Sequence, residues 1–289
     1  MTAAFGLIAG GAAAGVFGSL LGLGGGVLIV PLLTLLFGLP LRDAVAASLV
    51  SVIVTSSASA GVYLQRHVAN LRLGMVLELF TATGALVGGL IAFLLDEQVL
   101  AGLFAVLLAW VAISMLRRSE SSAPEPEPAR DAAAEPADAA DDAHVAHDAD
   151  QGRFQAFEAD LSGPDYRIRR LPFGMGGSIF AGLVSALLGV GGGIVKVPVM
   201  HLVMGVPLKV ATATSNLMIG ITATSSAMIY LLRGGIDPYV AGPTALGVFV
   251  GASLGSRLAG RIDVRILRFL FAAVLLYTAF VMARKALGL

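Results

Sequence analysis

The sequence predicts an all-α polytopic membrane protein made of two inverted repeats of about five membrane segments each, with glycine-broken helices meeting near the midplane. Three observations predict it: a composition that only a bilayer accommodates, a long internal repeat, and loops that differ in charge.

The 289 residues are 57% hydrophobic and 13% charged, with a mean hydropathy of +0.86. A soluble domain of this length cannot hide that much apolar surface, whereas each membrane-spanning helix takes up about 20 apolar residues. The 36 glycines follow no collagen-like period and fit close helix packing in lipid. With no cysteine, disulfides and thiolate metal sites are excluded. The opening MTAAFGLIAGG lacks the basic lead of a cleaved signal peptide, so Ala12 to Leu21 is read as membrane domain.

In chain order the apolar segments are Phe5–Leu21, Val27–Phe37, Ala44–Leu64, Gly74–Leu95 and Val99–Leu116, then Phe173–Leu188, Ile194–Met204, Val210–Leu232, Val240–Ala259 and Ile266–Met282. The second of each set is too short, at about 1.5 Å per residue, to cross about 30 Å alone. The two sets repeat one another. Leu20-Leu-Gly-Leu-Gly-Gly-Gly-Val-Leu-Ile-Val-Pro31 matches Leu187-Leu-Gly-Val-Gly-Gly-Gly-Ile-Val-Lys-Val-Pro198. Without a gap, Gly38, Pro40 and Leu41 then match Gly205, Pro207 and Leu208, and Ser48, Thr55 and Ser59 match Ser215, Thr222 and Ser226. Gly84 and Gly88 match Gly251 and Gly255. A register held this far marks a duplication.

Between the sets lies a stretch of Ala, Pro, Asp and Glu that cannot offset its own ordering entropy. The expected domains are residues 1–118 and 172–289 as repeats, with 119–171 a disordered cytoplasmic linker. His144 and His147 fall within it and read as solvated residues rather than metal ligands. Of the 19 acidic residues, 12 lie between Ser119 and Asp160, against two basic ones, Arg130 and Arg153; outside that stretch stand 17 Lys/Arg and 7 Asp/Glu. The membrane part is therefore basic. Arg117, Arg118, Arg167, Arg169 and Arg170 flank the linker, and Arg66 and Arg72 follow the third segment. The last interior loop carries Arg257, Arg261, Arg265 and Arg268, where its counterpart has Asp96 and Glu97. Basic loops stay in the cytoplasm. An odd number of crossings per repeat puts every basic loop inside and the acidic loop outside, which makes the repeats inverted.

Gly22, Gly24, Gly25 and Gly26, and equivalently Gly189, Gly191, Gly192 and Gly193, interrupt otherwise continuous apolar stretches. Backbone that turns at membrane depth needs surrounding protein or a wet cavity. The short helix that follows begins with unpaired N–H groups, an arrangement suited to an anion. Paired breaks at equivalent places are a pointer to a transporter's site; tight helix crossing is the plainer alternative. The third segments are rich in hydroxyls, among them Ser48, Thr55, Ser215 and Thr222. These donate to an oxyanion or bond back to their own helix. Asn216 is costlier to leave unpaired in lipid. Three ionisable residues fall within apolar segments: Glu78, Lys196 and His201. Lys196, whose repeat counterpart is Ile29, reads as an anion-binding charge or as a snorkelling side chain. Glu78 reads as a proton-coupling group or an interfacial one, and His201 as a packed polar residue. No nucleophile–base constellation stands in these segments, so no enzyme activity and no cofactor are expected.

The doubled LLGxGGGxxxVPxL/M pattern, the following G-x-P-L, the hydroxyl-rich helix and the acidic mid-chain linker resemble the sulfite exporter TauE/SafE family over essentially the whole chain except the linker. The resemblance implies a permease of the inner or plasma membrane for sulfite, sulfoacetate or other sulfonates, with the two glycine motifs as the core of the site. The expected partners are a small anion, the lipid bilayer and a coupling proton, without nucleic acid; self-association stays open. Two rival readings are an uptake permease for a carboxylate or inorganic anion, and a non-transporting membrane anchor or receptor whose linker recruits a partner.

Overall fold

The computed structural model describes residues 2–21, 26–65, 69–117, 157–158, 161–163, 166–258 and 264–288. These form ten helices, five on each side of the linker: α1 (Thr2–Leu21), α2 (Gly26–Leu36), α3 (Leu41–Gln65), α4 (Leu71–Leu94), α5 (Glu97–Arg117), α6 (Leu171–Leu188), α7 (Gly193–Pro198), α8 (Leu208–Leu232), α9 (Pro238–Leu258) and α10 (Val264–Ala286). A π-helical turn, Val199–Val203, prolongs α7. Among the described residues there is no sheet, only an isolated bridge between Gly163 and Tyr166. Among the described residues, four segments are long and apolar enough to cross a membrane: Leu71–Leu94, Glu97–Ser114, Leu171–Leu188 and Leu208–Leu232. Ala4–Gly18, Gly26–Leu36 and Gly193–Val203 are shorter apolar helices.

The helix boundaries follow local chemistry that recurs in both halves. Gly38 and Gly205 both take positive φ, 64° and 73°, a left-handed turn that glycine adopts without strain. Each is followed by the Pro-Leu that starts the next long helix, α3 or α8. Asn70 caps α4, its side-chain oxygen accepting from the Leu73 N–H. Its repeat equivalent Asp237 accepts from the Tyr239 N–H through its carboxylate at the start of α9. Pro198, which has no N–H to donate, stands where α7 passes into the π turn, closed by the Met204 N–H donating to Val199 O.

The halves exchange partners. α1 packs on α9 and, equivalently, α6 packs on α4; α3 faces α8, and α5 faces α10. Small residues permit the first two contacts. A β-carbon on Gly15 would meet Val248 O, and one on its equivalent Gly182 would meet Thr81 O; Gly251 lies as tightly against Ala12 O, and Gly84 against Ile179 O. Such backbone-to-backbone approach is the membrane mode of helix association. The main core accordingly draws on both halves, from Ile29 and Leu49 to Leu188, Tyr230 and Phe271. Phe5, Leu79, Leu94, Phe173, Leu232 and Phe280 point outward, exposed, as lipid-facing apolar residues do.

The helix ends also define two ends of the bundle. At one, Lys285 near the end of α10 pairs with Glu97 at the start of α5 at 2.7 Å. Arg42 at the start of α3 donates to Leu95 O, and it stacks, as does Arg233 just past α8, on the Phe93 ring. At the other end, within the segment assigned to the linker, Leu161 and Ile168 are buried against Leu73, Met200, Met204 and Met218. Asn70 Nδ2 donates to Leu161 O and to the Tyr166 hydroxyl, and Glu158 Oε1 accepts from the Leu171 N–H at the head of α6. Residues 118–156, where most of the disordered-linker reading falls, lie outside the described residues.

Candidate functional site

The second glycine break is built by left-handed backbone. Gly189, Gly191 and Gly192 have φ of 69°, 77° and 73°, a region that costs other L-residues roughly 1–2 kcal/mol each. The break ends α6 through the Gly189 N–H donating to Ser185 O, and it starts α7 with the Val195 and Lys196 N–H groups both donating to Gly192 O. Space is as restrictive as φ: a β-carbon on Gly191 would stand 2.8 Å from Ile219 and 3.0 Å from Val52. Of the first break, Gly22, Gly24 and Gly25 lie outside the described residues. Gly26 opens α2 and is buried.

The described parts of the two breaks meet. A β-carbon on Gly26 would stand 2.7 Å from Gly189 O, and Ser48 Oγ donates to Gly189 O at 2.7 Å and to Gly26 O at 3.1 Å. Gly26 also lies against Val52, and Gly193 against Ile219. Those residues stand at the centres of the 25-residue helices α3 and α8, so the breaks sit at mid-depth in the bundle. Among the described residues, two hydroxyls beside them have no partner: Ser185 Oγ and Ser215 Oγ are buried without a hydrogen bond. Ser185 borders Gly192 and Ser215 borders Gly193. An unsatisfied buried hydroxyl is expensive unless something binds it.

One turn along α7, three expected residues come together. Lys196 Nζ donates to Glu78 Oε2 at 3.0 Å and to Thr222 Oγ1 at 2.5 Å; Thr222 Oγ1 lies 2.7 Å from Glu78 Oε1 and 3.0 Å from Met218 O. The side chains of Lys196 and Glu78 are 1% and 5% exposed, so neither charged group reaches the protein surface. Ions taken out of water this completely survive only as hydrogen-bonded partners.

Other expected residues stand apart. Thr55 bonds back to Ser51 O and Val52 O on its own helix. The backbone carbonyl of Asn216 accepts from Ser56 Oγ at 2.7 Å, which ties α8 to α3. His201 is exposed rather than packed, its Nδ1 2.9 Å from Val206 O. Ser185 was not among the expected residues. Its signal is a hydroxyl four residues before the break, where the other repeat has Gly18.

A family model described as "Sulfite exporter TauE/SafE" matches residues 7–282. A Bacillus subtilis (strain 168) protein described as "Probable membrane transporter protein YunE" is 24% identical over 273 residues, covering 92% of this chain and 92% of its own length. The Methanocaldococcus jannaschii "Probable membrane transporter protein MJ0441" is 25% identical over 283 residues, 90% of this chain and 88% of its own. The Arabidopsis thaliana "Sulfite exporter TauE/SafE family protein 6" is 32% identical over 124 residues, 41% of this chain and 28% of its own. No solved structure matches the chain.

Proposed function

The chain belongs to the sulfite exporter TauE/SafE family of membrane transporters, and from that premise we propose that it exports a small sulfur-containing anion such as sulfite, sulfoacetate or another sulfonate across the cell membrane. The substrate class and direction come from the family's description. The anion sits between the Gly22–Gly26 and Gly189–Gly193 breaks, within reach of Lys196. The observation that carries this reading is two orphan hydroxyls, Ser185 Oγ and Ser215 Oγ, beside the second break, one turn from a buried lysine. Hydroxyl donors and an ammonium near glycine backbone are what an oxyanion needs where water is scarce. The acid–base partner of Lys196, Glu78, is the proton-coupling group.

Transport proceeds by alternating access of two inverted repeats. Inversion is supported by the direction of equivalent helices. Glu97 at the start of α5 pairs with Lys285 at the end of α10, and Gly102 early in α5 lies by Ala286, so α5 and its counterpart run antiparallel. The basic residues flanking the linker put it in the cytoplasm.

Two measurements test this. Purified protein in liposomes should move sulfite, sulfoacetate or methanesulfonate; indifference to all three would discard the substrate class. A tag in the linker and a cysteine in the Arg257–Arg268 loop should both report cytoplasmic, while a cysteine near Asp96 labels from outside. Labelling of the linker and the Arg257–Arg268 loop on opposite faces would end the inverted arrangement.

A further inference from the structure

We propose, resting on the transport reading above, that the anion replaces Glu78 as the counter-ion of Lys196, so that a monovalent anion binds only together with one proton, which Glu78 takes up. In the unloaded arrangement the site is neutral: one ammonium and one carboxylate, 3.0 Å apart and both buried. An anion that adds to this pair would leave two negative charges facing one positive charge in a poorly screened interior. Protonation of Glu78 removes the excess. The loaded site, with Lys196 cationic, the anion bound and Glu78 neutral, then has the same net charge as the unloaded one.

Among the described residues, the elements packed around the pair supply no other counter-charge. Helix α6, packed on α4, has no titratable residue. On α7 and its π-helical turn the titratable residues are Lys196 and His201, and His201 is exposed and bonded to Val206 O. On α8 they are Lys209 and Tyr230. Lys209 lies 13 residues before Thr222, about 20 Å away along the helix axis, and Tyr230 donates to Ala186 O. On α4 itself, Arg72 stands in the first turn. Glu158 and Tyr166, in the segment before α6, are held at Leu171 and Asn70.

The hydroxyl of Thr222 makes the exchange possible without moving a heavy atom. It has two acceptors in reach, Glu78 Oε1 at 2.7 Å and Met218 O at 3.0 Å. While Glu78 is ionised, the Thr222 hydrogen serves the carboxylate. Once Glu78 carries a proton on Oε1, that O–H donates to Thr222 Oγ1, and the Thr222 hydrogen turns to Met218 O. Lys196 is then released to the anion from its tie to Oε2. The balance also orders the ligand class: one proton offsets a single negative charge, which favours monovalent sulfonates such as methanesulfonate, and hydrogen sulfite, over dianions such as sulfate and sulfoacetate.

Isothermal titration of the full-length purified protein with methanesulfonate, which does not itself titrate near neutral pH, reads the coupling directly. In buffers of different ionisation enthalpy the heats should report one proton taken up per anion bound. Affinity should fall about tenfold per pH unit on the alkaline side, the slope of a one-proton linkage. Glu78→Gln, with its folding verified by gel filtration, should bind methanesulfonate with no proton uptake and a flat pH profile over the acidic range in which Lys196 keeps its own proton. Binding by the wild type without proton uptake would overturn this inference and leave the transport reading standing. Proton uptake that persists in Glu78→Gln over that acidic range would overturn it as well. If the wild type binds sulfoacetate alone, this inference falls and the transport reading stands; if it binds none of methanesulfonate, sulfite and sulfoacetate, both fall.

Discussion

Two equivalent places in the halves share a scaffold and differ in charge. Lys196 on α7 and Thr222 on α8 of the second half meet Glu78 on α4 of the first; the equivalent positions of the repeat are Ile29 on α2, Thr55 on α3 and, from the second half, Ala245 on α9. Ile29 and Ala245 are buried apolar residues, and Lys196 and Glu78 are a buried ion pair. Thr55 bonds only to its own helix, whereas Thr222 also joins the pair. Duplication thus supplied a fold that is stable without charge at this place. The charge in one copy is then an addition for which stability gives no reason, because a buried pair is often replaced by apolar residues at no loss.

The strongest test grafts the residues of the uncharged place onto the charged one. Glu78→Ala alone leaves the Lys196 ammonium buried without a counter-ion and should cost about 3–5 kcal/mol of stability. Adding Lys196→Ile gives the charged place the Ile and Ala of its uncharged equivalent. Thermal unfolding in detergent should return close to wild type, while flux in proteoliposomes stays lost. A double variant that still carries the anion would show that the asymmetry has no part in transport.

Much of this comparison was legible in the residues. The apolar runs gave five segments per half, the ungapped match from Leu20 to Pro31 with Leu187 to Pro198 gave the duplication, and the one position of that match where an ion faces an isoleucine, Lys196 against Ile29, picked out the asymmetry. The partner was not legible. Glu78 lies 118 residues before Lys196, and nothing local says that α4 will pack on α6 and α8 of the other half rather than on its own neighbours. Two lone opposite charges within apolar segments were nevertheless a signal, since each is tolerable in lipid only with a counter-charge. Leu161 and Ile168 escaped notice for another reason: a window rich in Asp, Ala and Arg averages away two apolar side chains that become buried. His201 was expected inside because a short apolar run looks the same whether it is enclosed or lies at a surface.

A second test asks whether the scaffold is as alike as the charges are different. Gly15 and Gly182 are repeat equivalents, and a β-carbon on either would meet a backbone carbonyl of the facing helix, Val248 O or Thr81 O. Gly15→Val and Gly182→Val should each force that helix pair apart at about 1–3 kcal/mol, the usual cost of overpacking, and by similar amounts. Unfolding midpoints measured side by side check this. A large loss in one variant with none in the other would mean that the two crossings do not bear load equally, and that the halves differ in packing as well as in charge.

The smallest effect separates two serines at matching positions. Ser48 Oγ donates to Gly26 O and Gly189 O and so joins the two breaks; Ser215 Oγ is just as buried and has no partner. Ser48→Ala removes a hydrogen bond and leaves two buried carbonyls short of a donor, which should lower stability by about 0.5–1.5 kcal/mol. Ser215→Ala removes a group that was already unsatisfied, so stability should hold or rise slightly. Its cost should appear elsewhere. If Ser215 Oγ waits for an oxyanion, methanesulfonate affinity should drop roughly fivefold, the equivalent of about 1 kcal/mol. Thermal unfolding and titration on the same two variants give a crossed pattern: stability lost and affinity little changed for Ser48, affinity lost and stability kept for Ser215. Unchanged affinity in Ser215→Ala would remove this hydroxyl from the site and leave Ser185, Lys196 and the amides of the break to hold the anion.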